Sequence, residues 1–214
     1  MPRFSYQHVF EPATDPDAPP LLLLHGPSGS ELEMLRIGRS LSPGSALLSP
    51  RGNVHEPGAV RFFERIAEGV YNPQEVSRRS QAMADFVISA AKHYGLDLNR
   101  LVAIGSSNGA NVAASLLLLR PETLGAAVLF RPSFVLDLPA APDSLVGKRI
   151  LMTHGTTDPL VPAGDPQRLA ELFRAGGAEV IQRLHTASHA LVQADIEVAR
   201  EFLVIERSRL SVPR

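Results

Sequence analysis

Ser107 lies in Gly105-Ser106-Ser107-Asn108-Gly109, between the apolar run Leu101-Val102-Ala103-Ile104 and a helix-like run from Ala110 to Leu119. A serine flanked in this way, where a buried strand turns into a helix, is held out at the tip of a sharp turn as a nucleophile. The glycines are needed because side chains two before and two after the serine would collide with the backbone. A serine hydroxyl alone is a poor nucleophile: attack on a carbonyl carbon needs an imidazole to take its proton and a carboxylate to orient that imidazole. The chain supplies both in order, Asp158 in His154-Gly155-Thr156-Thr157-Asp158-Pro159 and His189 in Thr186-Ala187-Ser188-His189. Taken singly, an aspartate before proline is a turn residue and a lone histidine a surface or satisfied interior group. Three such residues, each after a strand-like run, point to acyl transfer.

That chemistry also needs hydrogen-bond donors for the oxyanion of the tetrahedral intermediate. The backbone N–H of Asn108, next to the nucleophile at a helix N-terminus, is one candidate. The second is expected from the turn Gly26 to Ser30, which follows the run Leu21-Leu22-Leu23-Leu24. His25 and His154 each precede a glycine at the end of a buried strand and are read as shaping those turns. His185 lies four positions before His189, which on a strand and turn is not the one-face spacing of a helical metal pair, and no H-E-x-x-H occurs. His8, His55 and His93 give no signal. Asp195 and Glu197 fall after the histidine and on a helix, which disfavours them as the acid. Phe62 and Phe63 lie in a long loop on the expected active-site side and are candidate pocket residues, against the default of burial in the core. Arg51 and Arg61 are candidates to meet a polar substrate group, against solvated arginines.

The elements that must position these residues alternate strand-length apolar runs with longer amphipathic stretches, the pattern of a parallel sheet covered by helices. Strands are predicted at Phe4 to Phe10, Leu21 to Leu24, Ala46 to Ser49, Leu101 to Ile104, Ala126 to Phe130, Arg149 to Met152 and Glu179 to Leu184. Helices are predicted at Glu31 to Leu41, Gln74 to Tyr94, Ala110 to Leu119, Asp165 to Ala175 and Val192 to Glu206. Asn72-Pro73 opens the second helix and Gly95 stops it. A Pro/Asp turn segment covers Glu11 to Pro20, Pro50 through Asn72 reads as a long loop, and Arg131 to Lys148 reads as Pro-rich and irregular.

Composition narrows the remaining choices. A chain of 214 residues fits a single α/β domain that removes roughly 70% of its unfolded surface from water. The net charge is -1 with acidic and basic residues interspersed, so no electrostatic footprint for nucleic acid or an anionic membrane is present. Absence of cysteine excludes a disulfide framework, a thiolate nucleophile and a sulfur-based zinc site. Met1 to Glu11 lacks the basic-then-apolar pattern of a signal peptide and the apolar runs fall short of a membrane span, which predicts a soluble, cytoplasmic protein. The expected partner is a small-molecule ester. No apolar stripe stands clearly unassigned, so a homodimer is left open.

With these pieces placed, the chain resembles the phospholipase/carboxylesterase family of α/β-hydrolases, the group of acyl-protein thioesterases and small bacterial carboxylesterases. The resemblance covers about Leu21 to Phe202 and is strongest to a bacterial branch of hydroquinone-linked hydrolases. It is carried by Leu24-His25-Gly26, Ser49-Pro50-Arg51-Gly52-Asn53, Arg61-Phe62-Phe63-Glu64-Arg65, Gly105 through Asn111, and His154 through Pro159. It implies one α/β-hydrolase domain over residues 1–214, a mostly parallel central sheet with helices on both faces and no large cap. It also implies Ser107 as nucleophile, Asp158 as orienting acid, His189 as base, and hydrolysis of carboxylic esters without a cofactor or metal. Two positions depart from the family pattern. Ser106 stands where an aromatic residue is usual. Pro27 stands where a residue after His-Gly usually gives the second oxyanion N–H, which proline lacks, so Ser28 is the expected replacement donor. Acyl thioesterase or lysophospholipase activity would use the same three residues. The usual dienelactone hydrolase is disfavoured because its nucleophile is cysteine, and a haloalkane dehalogenase needs a carboxylate at position 107. A non-catalytic binding protein on the same fold is the alternative from another class.

Overall fold

The computed structural model describes residues 4–27, 29–67 and 69–210, with only the backbone of Leu210. In chain order the elements are β1 (His8–Glu11), β2 (Leu21–Leu24), α1 (Glu31–Leu41), β3 (Leu47–Pro50), β4 (Val54–Glu56), β5 (Ala59–Arg61), β6 (Arg65–Ala67), β7 (Val70–Tyr71), α2 (Pro73–Tyr94), β8 (Val102–Ser106), α3 (Asn108–Leu119), β9 (Ala126–Phe130), β10 (Arg149–Gly155), α4 (Asp165–Ala175), β11 (Glu179–His185) and α5 (Gln193–Leu210). The central sheet runs β1-β3-β2-β8-β9-β10-β11, parallel throughout except for β1, which is antiparallel to β3.

Strand β2 explains why the layers form. All four of its leucines are buried, and successive side chains of a strand point to opposite faces, so both faces need cover. Leu22 and Leu24 join the core beneath α2, α3 and α4, whereas Leu21 and Leu23 join the core beneath α1 and α5. Capping follows local chemistry. Ser30 Oγ accepts the Glu33 N–H at the start of α1 (3.2 Å), Asn72 Oδ1 accepts the Gln74 N–H ahead of Pro73 in α2, and α2 ends at Gly95 with φ 71°.

The connectivity fixes where a site can form. From β2 the chain moves outward to β3 on one side, then returns to place β8 on the other side of β2. The order reverses between these two strands, and the crevice at the carboxyl ends of such strands is where α/β sheets bind ligands. The segments after β2 and β8 carry Gly26 and Ser107. Those after β10 and β11 carry Asp158 and His189 on the same rim.

Two expectations are corrected. The first strand is His8–Glu11 rather than Phe4 to Phe10. The rings of Phe4 and Tyr6 pack against Phe86 at centroid distances of 6.0 and 5.4 Å, which takes that segment out of the sheet. The stretch from Pro50 to Asn72 is not an irregular loop. It holds two short hairpins, β4 with β5 and β6 with β7, the first turning at Gly58 with φ 75°.

Candidate active site

The turn at Ser107 is held on both sides by backbone hydrogen bonds. Its N–H donates to Phe130 O on β9 (2.8 Å), and its carbonyl accepts the Asn111 N–H of α3 (2.9 Å). Fixed in this way, Ser107 keeps φ 50° and ψ −115°, a conformation that costs a side-chain-bearing residue about 1–3 kcal/mol. The tightness is measurable at the flanking glycines. A Cβ on Gly109 would lie 2.1 Å from Leu24 O, and one on Gly105 would lie 2.6 Å from Gly109 O. Helix α3 therefore sits directly against β2 and β8, with Ser107 at its head.

His189 reaches this turn from the loop after β11. Its Nε2 is 2.9 Å from Ser107 Oγ, and its Nδ1 is 2.9 Å from Asp158 Oδ2 and 3.1 Å from Oδ1. A carboxylate only accepts, so the ring proton belongs on Nδ1 and Nε2 is left to accept from the serine hydroxyl. Asp158 is further oriented by the Leu160 N–H, which donates to Oδ1 (2.9 Å). The loops carrying the acid and the histidine are joined to each other. Thr156 N–H donates to His185 O, and both the N–H and the hydroxyl of Thr157 donate to Ala187 O. Gly155 allows this approach, because a Cβ there would lie 2.3 Å from Ala187 O. Hydroxyl, imidazole and carboxylate thus stand in one hydrogen-bonded row, in which the imidazole can take the hydroxyl proton while the carboxylate stabilises the imidazolium.

The row opens onto a cavity of about 750 Å³. Met34, Ile37, Leu191 and Ile196 give it an apolar side, and Arg61, Arg65 and Tyr71 from the hairpins give it a polar one. Phe62 and Phe63, the expected pocket residues, do not line it. Both are 1% exposed and belong to the core, Phe62 tilted against the His25 ring at 4.6 Å. The segment between the two hairpins dives inward there, and the Phe62 N–H donates to Asn108 Oδ1 (2.7 Å). Arg61 lines the cavity, with Nε on Glu56 (2.7 Å), whereas Arg51 pairs with Glu31 (3.1 Å).

Around Ser107 the neighbours have separate tasks. Asn108 heads α3, where backbone N–H groups lack intrahelical partners. Its side chain holds Phe62, and Asn111 Oδ1 likewise accepts the Ser133 N–H (2.8 Å). Ser28, the expected second donor, lies outside the described residues. Pro27 lines the cavity and its carbonyl accepts the Val60 N–H (3.0 Å), tying β5 to this turn. His25 has Nδ1 on Gly26 O (2.7 Å) while Nε2 accepts the Gly52 N–H (2.9 Å), a neutral tautomer bracing two turns. Burial, partly opposed by the Gly26 carbonyl, holds its pKa below the usual histidine value. His154 is buried on β10 with both ring nitrogens unpartnered, and desolvation followed by the Arg131 charge pushes its pKa down to about 4. Among the described residues no group of three or more His, Cys, Asp or Glu could hold a metal ion, and no helix is long and apolar enough to cross a membrane.

Residues 67–206 match the sequence model of the Phospholipase/Carboxylesterase family. The protein named "Putative hydrolase MhqD" of Bacillus subtilis (strain 168) is 35% identical over 196 residues, which are 92% of this chain and 96% of that protein. The crystal structure of the Bacillus cereus carboxylesterase superposes with a TM-score of 0.89 at 37% identity, covering 94% of this chain and 95% of that one. A carboxylesterase from Mesorhizobium loti gives a TM-score of 0.80 at 34% identity over 86% and 87% of the two chains. This chain belongs to the phospholipase/carboxylesterase family and is a serine hydrolase on the α/β-hydrolase fold.

Proposed function

We propose that the protein is a carboxylesterase that hydrolyses small or aryl esters through an acyl-serine intermediate, with Ser107 as nucleophile, His189 as base and Asp158 as orienting acid. The observation that carries this reading is the pair of 2.9 Å contacts from the two nitrogens of His189 to Ser107 Oγ and Asp158 Oδ2, at the floor of the cavity.

In the first half-reaction Nε2 takes the hydroxyl proton as Oγ bonds to the ester carbon. The carbonyl oxygen, now negative, accepts from the Asn108 N–H, with the Gly26 to Ser30 turn as the side from which a second donor comes. Collapse breaks the bond to the leaving alkoxide or phenoxide, which takes the proton back from His189. Water, deprotonated by the same Nε2, then attacks the acyl carbon, and Ser107 leaves with its hydroxyl restored. Asp158 keeps its charge throughout and holds the ring. The apolar side of the cavity suits an acyl or aryl group of modest size.

The test is labelling with a fluorophosphonate probe and peptide mapping. An adduct at Ser107, lost in His189→Ala, is the expected result; well-folded protein without an adduct would favour a binding protein on the same fold. A panel of acyl lengths with oxygen and sulfur leaving groups separates an esterase from a thioesterase or lysophospholipase.

A further inference from the structure

The peptide around His189 is a surface loop. Ser188 and Ala190 are exposed and the stretch between β11 and α5 has no regular structure, although Leu191 within it packs against the core. Thr156 and Thr157 hold the first part of the loop, and Arg131 holds the peptides on either side of His189 itself. This residue follows β9 directly, is 1% exposed, and adopts φ 55°. Its Nε donates to Ser188 O (3.3 Å) and its Nη2 to Ala190 O (3.2 Å), the carbonyls immediately before and after His189. The remaining donors are fixed from behind: Nη1 meets Thr153 Oγ1 (2.8 Å) and Asp195 Oδ1 (2.8 Å), and Nη2 meets Asp195 Oδ2 (2.7 Å). Asp195 is fully buried and is anchored by the Val192 N–H, which donates to Oδ2 (2.9 Å) at the start of α5.

We infer that Arg131, seated by Asp195, is a positioning residue for His189: by holding both flanking carbonyls it sets where Nε2 stands relative to Ser107 Oγ. The inference rests on the reading of His189 as base. The geometry asks for arginine in particular. A planar fork with five donors can face a carboxylate on one edge and two carbonyls on the other, whereas a lysine ammonium is a single point of charge with three donors. A buried pair of this kind is poor evidence of stability for its own sake, and here its outward face meets the histidine loop.

The experiment measures ester kinetics and the rate of fluorophosphonate labelling in wild type, His189→Ala, Arg131→Lys and the double variant Arg131→Met/Asp195→Asn. The double variant removes both charges together and keeps an acceptor oxygen for the Val192 N–H. Expected is a folded double variant whose kcat falls about 10- to 100-fold with KM within about twofold, as for a misplaced catalytic group, and whose downfield His189 Nδ1–H proton resonance is broadened or lost. A folded double variant with wild-type kcat, labelling rate and resonance overturns the inference. If the double variant does not fold, Arg131→Lys decides, since it keeps a cation opposite Asp195: unchanged kcat overturns the inference and a selective loss of kcat supports it. Wild-type protein that is not labelled at Ser107, or His189→Ala labelled as fast as wild type, would instead sink the reading of the site.

Discussion

Both sides of the cavity are tied by arginine–carboxylate pairs, but in opposite surroundings. On the histidine side, Arg131 and Asp195 have side chains 1% and 0% exposed and form a bidentate pair. Burial alone would raise the Asp195 carboxyl, yet hydrogen bonds from Arg131, Thr153 and the Val192 N–H outweigh it and hold its pKa below the usual carboxylate value. On the hairpin side, Glu56 takes Arg61 at 2.7 Å and Arg65 at 3.7 Å while its own side chain is 22% exposed. Water and salt reach the second pair and not the first. The side that carries the proposed base is thus tied to a pair that solvent does not reach, and the hairpin side is held by contacts that solvent can compete for.

Four changes sharpen that contrast, taken from the largest effect to the smallest. Ser107→Ala, at the junction of the two sides, should lower ester turnover by about 10³-fold or more without lowering the melting temperature, as read by steady-state kinetics and a thermal melt. Asp195→Ala leaves a buried guanidinium without its carboxylate, which costs about 3–5 kcal/mol. At about 2–4 °C per kcal/mol for a chain of this size, the melting temperature should fall by roughly 6–20 °C. If the loss is no larger than for an exposed pair, the contrast between the sides fails.

Acid should reach the buried side through His154. Its folded pKa of about 4 lies below the ordinary 6.5, so between these values the unfolded chain binds a proton that the folded chain does not. Stability therefore rises with pH across that window, is fully present above about pH 6.5, and is lost as pH falls towards 4, by up to about 3 kcal/mol. His25 adds to the same trend because its pKa is lowered as well. His154→Leu should flatten the acid limb of melting temperature against pH, and an unchanged limb would show that His154 is not its source. Glu56→Gln, the smallest change, should cost about 1 kcal/mol and raise KM a few-fold with kcat kept. High salt should mimic part of that rise in the wild type and leave Asp195→Ala no worse.

What could be read along the chain was what local chemistry determines. Gly105 and Gly109 are required by contacts within the turn they flank and one neighbouring strand, so the turn was visible as a short pattern. The four leucines of β2, buried on both faces, marked a central strand for the same reason. Phe62 and Phe63 were harder because the stretch around them reads as one long loop, where apolar residues can line a pocket as readily as fill the core. Both become core because the chain bends inward between two hairpins whose strands are too short to show alternation. Arg131 was placed only in an irregular Pro-rich segment, since its carboxylate is 64 positions away and its carbonyl partners 57 and 59 away. The side-chain tie from Asn108 to Phe62 spans 46 positions and was equally hidden, although the Asn108 backbone was singled out.

The backbone at Ser107, with φ 50° and ψ −115°, sets heat resistance against turnover at a single position. Glycine adopts these angles freely, so Ser107→Gly should yield a sturdier and inert protein. A laboratory selection for survival at high temperature, run without a demand for ester cleavage, would drift towards glycine at 107. Heat-resistant working variants are better sought at exposed positions such as Ile66 and Leu184, whose side chains stand in solvent.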